Sequence, residues 1–137
     1  LNNASAVATT VDINMTVATT TQFFTTPGGT GSNSGPFPDN AQQRGWGSTT
    51  SFTFEIQQLS ASTEYKLEFF ASLEAFQGNT ASFTVNGVGG TYTSLANNTT
   101  TLYTVETTSD GSGVITVTIA PGDGTTASLC AFVISKR

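Results

Sequence analysis

The sequence contains no histidine, one cysteine and one methionine. Without histidine, no Ser-His or Cys-His nucleophile pair can be assembled. A bound metal would have only oxygen ligands and at most one thiolate. Cys130 is the single cysteine, so no internal disulfide forms, and its place in the run Leu129-Cys130-Ala131-Phe132-Val133-Ile134 predicts a buried, small apolar residue. Charge is also scarce. Charged residues make up 9% of the chain, against a usual ~25%. Four Lys+Arg against nine Asp+Glu leave a net charge of -5. So few cations exclude nucleic acid as a partner. No apolar run approaches the roughly 20 residues of a membrane-spanning helix, so no membrane partner is expected, and Leu1 does not open a signal peptide.

What is present points to one fold class. The chain has 137 residues, enough for one domain with one core. Threonine is the commonest residue, and ten Phe accompany one Trp and three Tyr. Thr and aromatic residues suit a pleated, half-buried surface. Apolar residues recur at every second position. Val7, Thr9, Val11, Ile13, Met15 and Val17 alternate with polar residues, as do Phe52, Phe54 and Ile56, then Tyr65, Leu67, Phe69, Ala71 and Leu73, and later Ile115, Val117 and Ile119. Period two predicts strands with one face buried. The stretch from Ser128 to Ser135 is apolar on both faces and predicts a central strand. Asn86-Gly87, Asn97-Asn98, Asp110-Gly111-Ser112-Gly113 and Pro121-Gly122-Asp123-Gly124 predict turns. About eight strands, punctuated by turns every 8–12 positions, predict an all-β, two-sheet antiparallel β-sandwich of jelly-roll topology. The whole chain, 1–137, reads as one such module. An immunoglobulin-like sandwich is the rival, with about seven strands in about 100 residues.

Residues 26 to 48 break the pattern. The run from Thr26 to Pro38 is dense in Gly, Pro, Ser and Asn and predicts a long irregular loop. Loops of that length in compact domains are usually functional or disordered. This one carries Phe37, Asp39, Arg44 and Trp46. Trp46 lies between Gly45 and Gly47, which free the backbone to expose the ring. An indole face can stack on the C–H surface of a pyranose, and Arg44 can donate hydrogen bonds to hydroxyls. Phe37, held between Pro36 and Pro38, is either the wall of a cleft or a staple for the loop. In a second loop, Phe76 can stack while Gln77 and Asn79 bond to sugar hydroxyls; an ordinary turn with a core Phe is the plainer reading.

Other chemistry fares less well. Glycoside hydrolysis needs two carboxylates at a set separation. Glu55 and Glu68 alternate with apolar residues and so face solvent, and Glu64 and Glu74 lie near them. No enzyme is expected. Asp110-Gly-Ser-Gly and Gly122-Asp123-Gly124 lack the dense carboxylates of a calcium loop, and turns account for them better. No cofactor is expected, with a structural Ca²⁺ as the alternative. Asn3, Asn14, Asn97 and Asn98 each match the glycosylation acceptor pattern, which arises by chance in a Thr-rich chain.

From residue 35 the text resembles a known group. Gly35-Pro36-Phe37-Pro38 is followed by Phe52-Thr53-Phe54-Glu55-Ile56 and Leu59, then by Tyr65-Lys66-Leu67-Glu68-Phe69-Phe70-Ala71-Ser72. Ser82-Phe83-Thr84-Val85-Asn86-Gly87 and Asp110-Gly111-Ser112-Gly113-Val114-Ile115-Thr116-Val117 continue the likeness. In order and spacing these segments resemble a β-sandwich module of large secreted, Bacteroidetes-type bacterial proteins, akin to galactose-binding-like carbohydrate-binding modules. The chain departs from that pattern at Leu73-Glu74 and Gly78-Asn79-Thr80, where the group often has arginines. The resemblance implies a secreted or cell-surface location and attachment to a polysaccharide-acting protein. Together the residues and the resemblance lead to a non-catalytic module, monomeric in isolation, that binds a neutral or weakly charged polysaccharide or oligosaccharide. A structural or adhesive domain of a surface protein is the alternative, and it expects Trp46 to be buried.

Overall fold

A computed structural model describes residues 11–16, 22–25, 31–32, 34–74, 80–92, 95–122 and 126–137. In these, the chain runs through β1 (Asp12–Thr16), β2 (Gln22–Thr25), a four-residue helix α1 (Asp39–Gln42), β3 (Arg44–Ser48), β4 (Phe52–Gln57), β5 (Glu64–Phe70), β6 (Ala81–Val85), β7 (Val88–Tyr92), β8 (Tyr103–Thr108), β9 (Ile115–Pro121), β10 (Ala127–Leu129) and β11 (Ala131–Lys136). They form the predicted all-β, jelly-roll sandwich, with eleven strands among the described residues where about eight were expected. One layer is a five-stranded sheet in the order β1-β4-β9-β6-β7, and the other consists of two three-stranded ladders, β10-β3-β2 and β11-β5-β8. Every strand pairing is antiparallel.

The inward set is the one the alternation predicts. Phe52, Phe54 and Ile56 of β4, Phe83 and Val85 of β6, and Ile115, Val117 and Ile119 of β9 are buried against Tyr65, Leu67 and Phe69 of β5. Val11, just before β1, and Ile13 and Met15 within it pack partly buried on this core, while Asp12 and Asn14 point to solvent. The outward set is polar: Thr53 and Thr118, paired across β4 and β9, share a hydroxyl hydrogen bond of 2.8 Å. Asn86 (φ 48°) and Gly87 (φ 82°) take the left-handed conformation that a two-residue hairpin turn requires, joining β6 to β7. In the next predicted turn, the Asp110 carboxylate accepts hydrogen bonds from the backbone N–H groups of Ser112 (2.8 Å) and Val114 (2.9 Å).

Three expectations change. Residues 26–48 are not irregular throughout: 26–30 and 33 lie outside the described residues, Asp39–Gln42 is helical, and Arg44–Ser48 is a strand held between β2 and β10. Gly45 belongs in that strand because a β-carbon there would come within 3.0 Å of the Cys130 Sγ and 3.1 Å of the Leu129 carbonyl. Glycine, read as a sign of loop, here permits close strand approach. The last strand is also not central. It breaks at Cys130 into Ala127–Leu129, which is buried and pairs with β3, and Ala131–Lys136, which pairs with β5, and each half has none of the described strands on its other side. Val133 is accordingly 41% exposed. Cys130, at the break, is half-buried rather than buried.

Candidate functional site

Where β3 parts from β11, the sandwich opens into a pocket of about 340 Å³. Strand geometry puts residues i and i+2 on one face, so Arg44 and Trp46 point the same way, and both line the pocket. Arg44 is exposed and stands at the mouth, and Trp46 is half-buried. In the ladder Trp46 is paired with Leu129 on one side and Phe23 on the other. Ile13 and Met15 of β1 and Phe54 of β4 supply the wall from the opposite sheet. Leu129, Cys130, Ala131 and Phe132 supply the near wall, and Ala41 of α1 completes it. Phe54 and Phe132 meet at the floor with ring centroids 5.7 Å apart.

The site is electrostatically simple. Arg44 is the one charged side chain among the described lining residues. The carboxylates considered for hydrolysis lie elsewhere. Glu55 accepts a hydrogen bond from Gln57 (2.6 Å), Glu68 pairs with Lys66 (2.7 Å), and Glu64 and Glu74 are exposed. Among the described residues, no group of three His, Cys, Asp or Glu could hold a metal ion.

The other predicted site residues fall away from this pocket or outside the described part. Phe37 rests edge-on against Phe70, 6.1 Å between centroids, in the staple arrangement. Its carbonyl accepts a hydrogen bond from the buried Gln42 side chain. Asp39 opens α1, half-buried. Phe76, Gln77 and Asn79 lie outside the described residues. Conversely, the sequence reading missed that Ile13, Met15, Phe54 and Phe132 line a pocket. Their alternation marks them as core, and nothing local signals that the core is open at this edge.

One buried polar knot also escaped notice. Asn98, read as a turn and a glycosylation acceptor, is 6% exposed. Its side-chain N–H groups point to the carbonyls of Ala71 and Thr101 (2.9 Å each) and to the Tyr92 hydroxyl, and its oxygen accepts from the backbone N–H groups of Thr100 (3.1 Å) and Thr101 (2.8 Å). Burial pushes the Tyr92 phenol well above its ordinary range.

Comparison with protein-family models and with curated proteins gives no match. Solved structures do match in fold. The ANX2 ectodomain from Arabidopsis thaliana superposes with a TM-score of 0.68 at 11% identity, over 90% of this chain and 41% of that chain. The ANXUR1 extracellular domain from the same plant gives 0.65 at 11% identity, over 90% and 40%. An exo-β-1,3-galactanase from Phanerochaete chrysosporium, solved with β-1,3-galactotriose, gives 0.51 at 13% identity, over 91% and 27%. The chain thus spans about two fifths of the plant ectodomains it matches. At these identities the likeness concerns the sandwich architecture alone.

Proposed function

We propose that this chain is a non-catalytic carbohydrate-binding module that takes a neutral or weakly charged glycan at the Trp46 pocket. One observation carries the reading: the single tryptophan is half-buried on a rigid strand, lines a pocket, and shares its strand face with an exposed arginine. The indole offers an apolar platform for a sugar ring, and the guanidinium offers donors at the mouth. Among the described residues no carboxylate lines the pocket, whereas glycoside hydrolysis uses two. The alternative of a purely structural domain expected a buried Trp46. Appended to a secreted, polysaccharide-acting protein, such a module would raise the effective concentration of its partner on the polymer. The galactanase solved with galactotriose contains a similar scaffold, and that likeness of fold is in keeping with this role.

The test is a glycan-array screen followed by titration of tryptophan fluorescence, which reports on one residue. Glycan addition is expected to shift the emission, with affinity falling at least about tenfold in Trp46→Ala and less in Arg44→Ala. Undiminished binding by Trp46→Ala removes the pocket from the site, and an emission that no glycan moves rejects the reading.

A further inference from the structure

The Trp46 pocket is chemically uneven. At its mouth stands the exposed Arg44, a hydrogen-bond donor. Around the rest of it stand Ile13, Met15 and Phe132, half-buried like Trp46, and the buried Phe54, whose side chains neither donate nor accept a conventional hydrogen bond. The Cys130 thiol, a weak donor, is the one polar side-chain group beside them on the near wall among the described residues. A pyranose carries hydroxyls around its ring. A hydroxyl pushed among Ile13, Met15, Phe54 and Phe132 would give up water and gain no hydrogen bond from them. The ring therefore belongs at the mouth. The floor is nonetheless open: the whole space of about 340 Å³ lies at the lower end of the range for ligand sites, about 300–1,000 Å³. An apolar group attached to the sugar would fill it and gain by leaving water.

Resting on the glycan reading above, we propose that the ligand is an O-acylated glycan. A sugar ring lies on Trp46, and its ester-linked acyl group enters between Met15, Phe54 and Phe132. The ester is uncharged and its carbonyl only accepts hydrogen bonds, which matches a mouth whose charged group is a donor. No covalent step is involved.

The experiment uses three polysaccharides as probes: O-acetylated xylan, O-acetylated glucomannan and O-acetylated pectin. Each is titrated before and after mild alkali, which removes the esters and leaves the backbone. At least one acetylated form is expected to bind about tenfold tighter than its de-esterified counterpart, the gain that burying an acetyl group should bring. Met15→Gln, which sets an amide in the floor, is expected to lower affinity for the acetylated form more than for the other. Met15→Leu is expected to keep the preference, which separates pocket chemistry from misfolding. If both forms bind alike and Trp46→Ala weakens both, the acyl proposal is overturned while the glycan reading stands. If none of the six preparations binds, the acyl proposal is overturned, and the glycan reading falls with it only if no glycan of the array moves the Trp46 emission.

Discussion

The two long edges of this sandwich are built from similar residues and end differently. At the edge formed by β7 and β8, the gap between layers is closed. Phe83, Tyr92 and Tyr103 interlock, with Tyr103 5.2 Å from Phe83 and 6.4 Å from Tyr92 between ring centroids. Gly90 leaves room for the Tyr103 hydroxyl where a β-carbon would collide. Asn86 reaches across to Thr107 (3.1 Å) and the Thr108 carbonyl (2.8 Å). Below them, Asn98 satisfies four backbone groups. At the edge where β1 and β11 end their sheets, the gap is open and Trp46 of β3 lines it. A line of aromatics joins the two, running Phe54, Phe132, Phe69, Phe83. The difference teaches that an aromatic ring becomes a possible contact surface where neighbouring polar groups do not lock the layers together over it.

Truncation should separate the two edges. Phe83→Ala, in the closed edge, is expected to cost about 3–5 kcal/mol, because a fully buried ring leaves a cavity. Asn98→Ala should follow at about 2–3 kcal/mol, since it strands several buried backbone groups. Trp46→Ala, at the open edge, should cost only roughly 1–2 kcal/mol, as a half-buried side chain loses less on removal. Urea denaturation of the three variants measures this order. A Trp46 variant as unstable as the Phe83 variant would make the open edge structural and erase the contrast.

The smallest effect comes from pH. Tyr92 keeps its proton in the fold to well above the ordinary phenol value of 10.0 because burial disfavours the phenolate. The unfolded chain sheds that proton near pH 10, so the raised folded value contributes stability that is whole below that pH and declines above it, by at most about 1.4 kcal/mol per pH unit. Tyr92→Phe should therefore lose less stability than the parent between pH 8 and pH 10.5, as followed by urea midpoints. Equal losses would mean that the closed edge admits water to Tyr92.

Much of the scaffold was legible because its signals are local. Alternation marks the inward Phe52, Phe54 and Ile56 without reference to anything distant, and Asn86-Gly87 sets its own turn through two backbone conformations. Trp46 and Arg44 were legible as a pair, though for an incomplete reason. They were read as loop residues, whereas their shared direction comes from the strand period. Strand β3 itself was hidden because Arg-Gly-Trp-Gly-Ser sets its one β-former, Trp46, between two glycines, and its register is imposed by the strands beside it. Asn98 reads as a surface turn in any window, and only the convergence of residues 71, 92 and 101 buries it.

The sequence by itself determined which side chains face inward, the antiparallel β class and several of its turns. These follow from residue shape, period two and the few conformations that Asn and Gly adopt readily. Tertiary structure alone decided that one edge is sealed and the other open. That depends on which strands end up beside each other and where β10 and β11 part at Cys130, and neighbours far apart in the chain set both.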